Sequence, residues 1–285
     1  MKKKLEYSRA LVPKNDKLYK KIIISIMVIL FLTIPILLIF TNKSEGVNIP
    51  SGDIIVSKDE DSENNAIENY EDKISSYIEA RVIDPSKPMV ALTFDDGPNP
   101  KSTSRILDSL EEHNVVATFF DIGYLVEKYP EIVKREAMLN CEIGNHTYSH
   151  INLNKLSKEE LINEIEKSEK AFETVLGYKT TLYRPSYGNA NSNVKEALEY
   201  PLILWSIDSL DWKTRDKEKI LEEIRRIDEY DGKIILMHSI YESTADAVEI
   251  LIPELINKGY QLVTVSEMAY YKNKELEARK IYKSF

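Results

Sequence analysis

The chain has 285 residues, 43% apolar and 30% charged, which is room for one large domain or two small ones with a sizeable core. Its net charge of −9 is uneven: residues 1–21 hold eight Lys/Arg and two acids, so the remainder stands at −15, which argues against a nucleic-acid partner gripped through its phosphates. A single cysteine, Cys141, excludes an intramolecular disulfide, so the fold must hold through its core alone.

Residues 22–40, "IIISIMVILFLTIPILLIF", form an uncharged apolar run. At helical rise it spans ~28 Å, close to the hydrocarbon thickness of a bilayer, and a membrane span tolerates Pro35. Lys20-Lys21 and the other basic residues precede the run and acidic sequence follows it, which predicts an N-terminus in the cytoplasm and the acidic part outside. A cleaved signal peptide is the rival reading; the run is long for one, and only the weak small-x-small pattern Ser44-Glu45-Gly46 follows it. Residues 42–86 are polar and acidic and read as a spacer, within which "ISSYIEARVI" could pack as a short element on the domain that follows.

From residue 87 short apolar runs alternate with helical periodicity. "MVALTF" (89–94), "VVATFF" (115–120), "CEIGN" (141–145), "TLYR" (181–184), "LILWSID" (202–208), "IILMH" (234–238) and "QLVTV" (261–265) read as strands. The clearest helix covers 158–176, with apolar positions Leu161, Ile162, Ile165, Phe172, Val175 and Leu176, a Ser157/Glu160 capping box before it and Gly177 as its stop. Lys258-Gly259 ends a later helix, in which Pro253 predicts a kink or a restart. Strands alternating with helices imply parallel pairing through right-handed crossovers. Seven such units, with no dinucleotide fingerprint after the first, point to an α/β fold with a (β/α) barrel, complete or not; a doubly wound open sheet is the alternative.

The polar residues cluster. Asp95-Asp96, "NHTYSH" (145–150), "RPSYG" (184–188), "DSLDW" (208–212) and "HSIY" (238–241) all fall at carboxyl ends of predicted strands, the face on which α/β barrels build active sites. His146 and His150 share one face if their segment is helical. With a carboxylate from a neighbouring loop they form a His-His-Asp set with open positions, suited to a divalent transition metal and a bound water. Strand alternation turns the two adjacent Asp side chains apart, so one can face such a metal and the other the reacting water. The metal's charge also offsets the repulsion between them. His113 closes a predicted helix and reads as structural.

In this order "TFDDGP", "NHTYSH", "RPSYG", "DSLDW" and "ILMH" resemble the five motifs of the polysaccharide deacetylases, the carbohydrate esterase family that includes chitin and peptidoglycan deacetylases. The resemblance covers about residues 87–270, and the stretch "HSIYESTADAVEILIPELINKGYQLVTVSEM" is most similar to the peptidoglycan N-acetylglucosamine deacetylases. It implies a distorted (β/α) barrel and metal-dependent removal of acetyl groups from N-acetylated sugars. It further implies that Asp95 is the general base and that Asp96, His146 and His150 hold the metal, zinc above cobalt, nickel or iron. Arg184 would tether Asp95, His238 would be the general acid oriented by Asp211, Tyr187 would lend its backbone N–H to the oxyanion, and Trp212 and Leu236 would wall the acetyl pocket. The chemistry agrees: an amide needs a polarised carbonyl, a base for the attacking water and an acid for the departing amine. A carboxylate beside His238 favours its protonated form, and Arg184 keeps Asp95 ionised.

Two positions depart from the family pattern, Ser186 where Pro is frequent and Ser239 where Asp is frequent. Neither removes a group assigned to chemistry. The expected division is a basic cytoplasmic tail (1–21), a transmembrane anchor (22–40), an acidic spacer (42–86), the deacetylase domain (87–275) and a C-terminal tail (276–285). The expected partners are cell-wall glycan and, through the anchor, the membrane. The implied cellular effect is a wall that lysozyme cuts less well. Deacetylation of another carbohydrate (chitin oligomers, acetylxylan or N-acetylmuramic acid) stays open as an alternative, as does a wall-binding protein with an inactive site.

Overall fold

The computed structural model describes residues 81–285. The apolar run 22–40 and the spacer up to residue 80 lie outside the described residues, among which no helix is long and apolar enough to cross a membrane.

The strand MVALTFD, β1 (Met89–Asp95), is buried at every position and forms the centre of the sheet. From it the chain runs α1 (Ser102–Glu112), β2 (Thr118–Asp121), α2 (Gly123–Lys128), α3 (Pro130–Met138), β3 (Glu142–Asn145), α4 (Lys158–Leu176), α5 (Ser192–Ala197), β4 (Leu202–Ile203) and β5 (Ile207–Asp208). It continues through α6 (Asp211–Thr214), α7 (Lys217–Arg225), β6 (Lys233–His238), α8 (Glu242–Asn257), β7 (Gln261–Leu262), α9 (Val265–Tyr271) and β8 (Ile281–Tyr282). The main sheet has the order β3-β2-β1-β6-β5, with β7 paired to the start of β1. All of these pairings are parallel.

The side chains of β1 alternate between two environments, as a strand buried on both faces requires. Val90, Leu92 and Phe94 pack with Ile106, Leu110, Ile224, Val248 and Leu251 of the surrounding helices. Met89 and Ala91 face inward with Phe120, Ile234, Val263 and Met268. Asp95 is two residues on from Thr93 on this inner side, so the alternation delivers a carboxylate to the carboxyl end of the central strand.

Two expected strands differ from the pattern in the sequence. "TLYR" contributes only single-residue bridges, Tyr183 to Asn145 and to Leu202. "LILWSID" divides into β4 and β5. The reason is Arg184, whose Nε and Nη2 draw the carbonyls of Ile203 (2.9 Å) and Leu204 (3.2 Å) out of any ladder. The segment 202–208 nevertheless reaches both ends of the strand series: Ile203 N–H donates to Tyr183 C=O (2.9 Å) and Ser206 N–H to Ile234 C=O (3.1 Å). The last expected strand shortens to β7 because Thr264 becomes the N-cap of α9, in a capping box with Glu267.

Helix α4 has the bounds its caps dictate: both halves of the Ser157/Glu160 box form, and Gly177 at φ 80° ends it. Its buried stripe is Leu161, Glu164, Ile165, Ser168, Ala171 and Phe172, while Ile162 is exposed. Pro253 does not restart α8, which runs through it as one element. An interior proline costs about 3 kcal/mol, less than the burial of Val248, Leu251, Ile252 and Leu255 contributes at roughly 1.5–3 kcal/mol each.

The segment entering the sheet is tied down. Arg81 donates to Leu262 C=O (2.6 Å) and pairs with Glu267, and Asp84 N–H donates to Gln261 Oε1 (2.8 Å). At the other end β8 pairs with β4, and Phe285 N–H donates to Gly232 C=O (2.9 Å). Gly232 sits at φ 71°, and a Cβ there would lie 1.9 Å from the Phe285 carbonyl oxygen. Gly232→Ala therefore combines left-handed strain with a backbone clash. It should lower the unfolding free energy by about 2–3 kcal/mol in a urea titration, and an unchanged midpoint would contradict the docking of the C-terminus on Gly232.

Candidate active site

Asp95 and Asp96 end β1 in different backbone states. Asp95 is the last strand residue, 3% exposed, and Asp96 turns left-handed at φ 68°. Their carboxylates consequently take different first partners, although His146 Nε2 lies 3.7 Å from Asp95 Oδ2 as well. Asp95 Oδ1 accepts from Arg184 Nη1 at 2.6 Å. Asp96 Oδ1 faces His146 Nε2 at 3.4 Å and His150 Nε2 at 3.2 Å.

Arg184 is fully buried, and each of its three guanidinium nitrogens donates a hydrogen bond. Besides Asp95 and the two carbonyls already named, Nη1 donates to Thr93 Oγ1 at 2.9 Å. Its Cζ lies 4.1 Å from the centre of the Phe120 ring. Burial lowers its pKa from the ordinary arginine value, and the Asp95 charge and hydrogen bond oppose that shift.

The histidine loop is not helical, contrary to the condition under which the i, i+4 spacing pairs the rings. It is a bend in which Thr147 (φ 71°) and His150 (φ 54°) are left-handed. The rings still meet, with centroids 5.1 Å apart. Asn145 and Glu164 hold the loop. Asn145 Oδ1 accepts from Thr147 N–H (2.9 Å) and Ser168 Oγ (2.5 Å), and Glu164 Oε1 accepts from Tyr148 N–H (3.1 Å), Ser149 N–H (2.6 Å) and Ser149 Oγ (2.8 Å).

One ligand atom each from Asp96, His146 and His150 lies within 4.8 Å of the others. Asp96 Oδ1 is buried and accepts no hydrogen bond. His146 Nδ1 is 2.7 Å from Arg184 C=O, which places the proton on Nδ1 and a lone pair on Nε2. Lone pairs that converge on a buried oxygen with no donor fit a divalent cation. Burial raises the Asp96 pKa, but the neighbouring imidazoles, His146 first and then His150 and His238, outweigh it and hold the carboxyl at about 2. Burial lowers the pKa of His150, which keeps it neutral as a ligand must be.

His238 ends β6 directly beside Asp95: the two are Cα partners in the parallel register. Its Nδ1 lies 2.7 Å from Asp211 Oδ1, which also accepts from Trp212 N–H (2.7 Å). Asp211 Oδ2 accepts from His238 N–H (2.7 Å) and Thr244 Oγ1 (2.7 Å). A fully buried carboxylate is thereby satisfied, and His238 Nε2 is left for the site. Burial lowers the His238 pKa, but the Asp211 hydrogen bond and charge, with Asp95 and Asp96 behind them, raise it to about 9.

The remaining expected residues lie around this group. Tyr187 is left-handed at φ 63° and 64% exposed, with its ring 4.8 Å from that of His150. Trp212 is half-exposed next to Asp211, and Leu236 is buried in β6, two residues before His238. The two departures, Ser186 and Ser239, are fully buried. Ser186 Oγ bonds Thr147 Oγ1 (3.0 Å), and Ser239 N–H donates to Asp95 C=O (3.0 Å) while its own carbonyl accepts from Ser102 Oγ (2.6 Å).

A family model described as "Polysaccharide deacetylase" matches residues 83–201. A peptidoglycan N-acetylglucosamine deacetylase of Bacillus cereus is 42% identical over 190 residues, 64% of this chain and 69% of that protein. This chain belongs to the polysaccharide deacetylase family. A peptidoglycan N-acetylmuramic acid deacetylase of Bacillus subtilis is 40% identical over 207 residues, 73% of this chain but only 44% of that longer relative. The solved structure of the peptidoglycan deacetylase from Bacillus subtilis matches with a TM-score of 0.65 at 41% identity, over 67% of this chain and 94% of that one. Polysaccharide deacetylases of this type are metalloenzymes, in keeping with the Asp96, His146 and His150 cluster.

Several supporting residues of this candidate site carry no signal as ligands or acids. Thr93 and Thr244 are single hydroxyls in apolar or helical sequence. Glu164 and Ser168 are detectable only as an i, i+4 polar interruption on the buried stripe of α4. The pair Asp121 and Glu136 was not foreseen either. Both are fully buried and in mutual contact, and no donor among the described residues reaches any of their four oxygens. Two carboxyls in that position can bond only by sharing a proton. Burial, then each other's charge and contact, raises Glu136 well above its ordinary value, and burial raises Asp121.

An acid whose folded pKa is raised binds protons more tightly when folded, so stability falls as pH rises from the ordinary carboxylate range through the raised values. Glu136→Gln removes one titrating group and gives Asp121 an N–H donor. The variant should lose less stability than the parent between pH 5 and pH 8 and exceed it at pH 8 by roughly 1–3 kcal/mol. Parallel stability curves would contradict the shared proton.

Proposed function

We propose that this protein is a membrane-anchored, extracytoplasmic, metal-dependent deacetylase. It hydrolyses N-acetyl groups on cell-wall glycan, N-acetylglucosamine of peptidoglycan first, and yields acetate and a free amino sugar. The observation that carries this reading is the register pair Asp95 and His238. A carboxylate and an imidazole stand side by side at the sheet end, each fixed by its own buried partner, with the Asp96, His146 and His150 cluster beside them.

In this reading Asp95 takes the proton of the attacking water, and Arg184 fixes the carboxylate's orientation. Asp96, His146 and His150 would hold a divalent ion, zinc before cobalt, nickel or iron, which would supply Lewis acidity toward the acetyl carbonyl. The Tyr187 backbone N–H donates to the oxygen on which charge develops. His238, held by Asp211, gives its Nε2 proton to the departing nitrogen. Trp212 and Leu236 wall the acetyl methyl group. The sheet, reached at both ends by residues 202–208, is read as a distorted (β/α) barrel. Residues 22–40 are read as the anchor, with 1–21 in the cytoplasm, 42–86 as the spacer, and the glycan as the partner outside. N-acetylmuramic acid of the same glycan is the second reading, supported by the name of the Bacillus subtilis relative.

The full-length protein should release acetate from N-acetylated glycan, lose that activity to a chelator and regain it with added zinc. Asp95→Asn should lower kcat at least ~100-fold with the metal content unchanged, because a general base contributes about 10²–10⁴-fold. Near-normal turnover in Asp95→Asn would refute the base assignment, and no acetate from any N-acetylated glycan with metal supplied would refute the deacetylase reading.

The rate should also fall on the alkaline side as His238 loses its proton. A bound cation offsets the Asp96 share of the raised His238 pKa, so that limb should lie below about 9. His238→Asn should abolish the limb along with most of the rate; an alkaline limb of unchanged position in that variant would rule His238 out as the acid.

A further inference from the structure

Asp211 holds His238 at one edge of its ring. Asp211 Oδ1 takes Nδ1 and Asp211 Oδ2 the backbone N–H, while Nε2, which must face the departing nitrogen, lies on the far side of the imidazole. A single bond at Nδ1 leaves the ring free to tilt about that contact, and a tilt moves Nε2. Proton transfer needs donor and acceptor within hydrogen-bond reach, so the tilt has to be fixed by a second contact.

Tyr241 makes that contact. Its ring centroid lies 5.8 Å from that of His238 at an interplanar angle of 42°, within the range of a tilted aromatic pair. The Tyr241 hydroxyl makes no hydrogen bond among the described residues, so its contacts are those of the ring.

Tyr241 is fixed in turn by Arg215, whose Cζ lies 3.6 Å from the centre of the tyrosine ring. Arg215 follows α6 in the left-handed conformation (φ 50°), at a position where glycine is usual. Its N–H donates to Asp211 C=O (3.0 Å) and its Nε to Trp212 C=O (3.1 Å). The other seven arginines among the described residues each pair with a carboxylate, whereas the Arg215 guanidinium stacks on Tyr241.

These contacts close on themselves. His238 bonds Asp211, Asp211 accepts from Trp212 N–H, Trp212 C=O accepts from Arg215, Arg215 stacks on Tyr241, and Tyr241 meets His238. The closed circuit resists the tilt that Asp211 alone permits.

We propose, on the deacetylase reading above in which His238 is the acid, that Tyr241 clamped by Arg215 is a positioning residue that holds His238 Nε2 toward the departing nitrogen. As the C–N bond breaks, its electron pair passes to the nitrogen, which takes the Nε2 proton. In 4-nitrophenyl acetate the electron pair of the breaking C–O bond passes to the phenolate oxygen, the nitro ring carries the charge, and no proton is needed. The clamp therefore serves the amide and not the activated ester.

The test compares kcat of the full-length protein, with zinc supplied, on peptidoglycan glycan strands and on 4-nitrophenyl acetate, counting only the ester turnover that Asp95→Asn removes. Tyr241→Leu should lower kcat on the glycan about tenfold, a part of the roughly 10²–10⁴-fold that a general acid supplies. KM should stay within about threefold of the parent, and ester kcat should change less than about twofold. Tyr241→Phe, which keeps the ring, should restore glycan turnover. Arg215→Met, at an exposed position, should show the same amide-selective loss at about threefold, the size of one exposed cation–π contact.

If neither variant loses glycan turnover, or both lose glycan and ester turnover equally, the clamp does not position the acid. A raised KM with kcat unchanged in Tyr241→Leu would also overturn the proposal, because that is the mark of a lost sugar contact. Equal losses on both substrates in His238→Asn would overturn the acid role, and no acetate from glycan strands with the parental protein would overturn the deacetylase reading; the positioning role falls with either.

Discussion

The buried pair of Arg184 and Asp95 organises the rest of the site. A guanidinium with no exposure needs partners on its nitrogens, and here all three nitrogens donate, to Asp95, Thr93 and the carbonyls of Ile203 and Leu204. Those four contacts join β1 to the segment between β4 and β5 and fix where that segment leaves the sheet. Arg184 also offers its own carbonyl to His146 Nδ1, so the residue that orients Asp95 also sets the tautomer of His146. Removing one partner of such a pair leaves an uncompensated buried charge, at a cost of about 3–5 kcal/mol.

The site depends on backbone conformations that side chains alone would not choose. Asp96, Thr147, His150, Tyr187 and Leu210 are left-handed, and each lies in one of the loops that follow the strands. Each such residue costs about 1–3 kcal/mol unless its surroundings impose it. For Thr147 and His150 the surroundings do so through Asn145, Glu164, Ser168 and Ser186, which are buried and bonded to the histidine loop. Rigid supports of this kind hold the two imidazole nitrogens of His146 and His150 in place beside Asp96 Oδ1.

The central strand, helix α4 with both caps, and the clustering of Asp95, Asp96, His146, His150, Arg184, Asp211 and His238 were legible in the sequence. They rest on local rules, namely alternation, capping and position at a strand end. What was hidden depends on contacts between distant segments. The break between β4 and β5 follows from the carbonyl demand of Arg184, twenty residues away, and no local propensity marks it. The non-helical path of the histidine loop comes from Glu164 on α4, which a reading of apolar positions passes over. Asp121 and Glu136 are ordinary acids in the sequence, and only folding brings them together away from water.

The central claim is the separation of the adjacent carboxylates, Asp96 on the metal and Asp95 on the water. Anomalous diffraction from crystals of the protein grown with zinc tests it most directly. The account predicts a single ion at about 2.0–2.2 Å from an Asp96 oxygen, His146 Nε2 and His150 Nε2, with Asp95 bonded to Arg184 and outside the coordination sphere. An ion ligated by Asp95, or zinc bound elsewhere with these three side chains free, would contradict it.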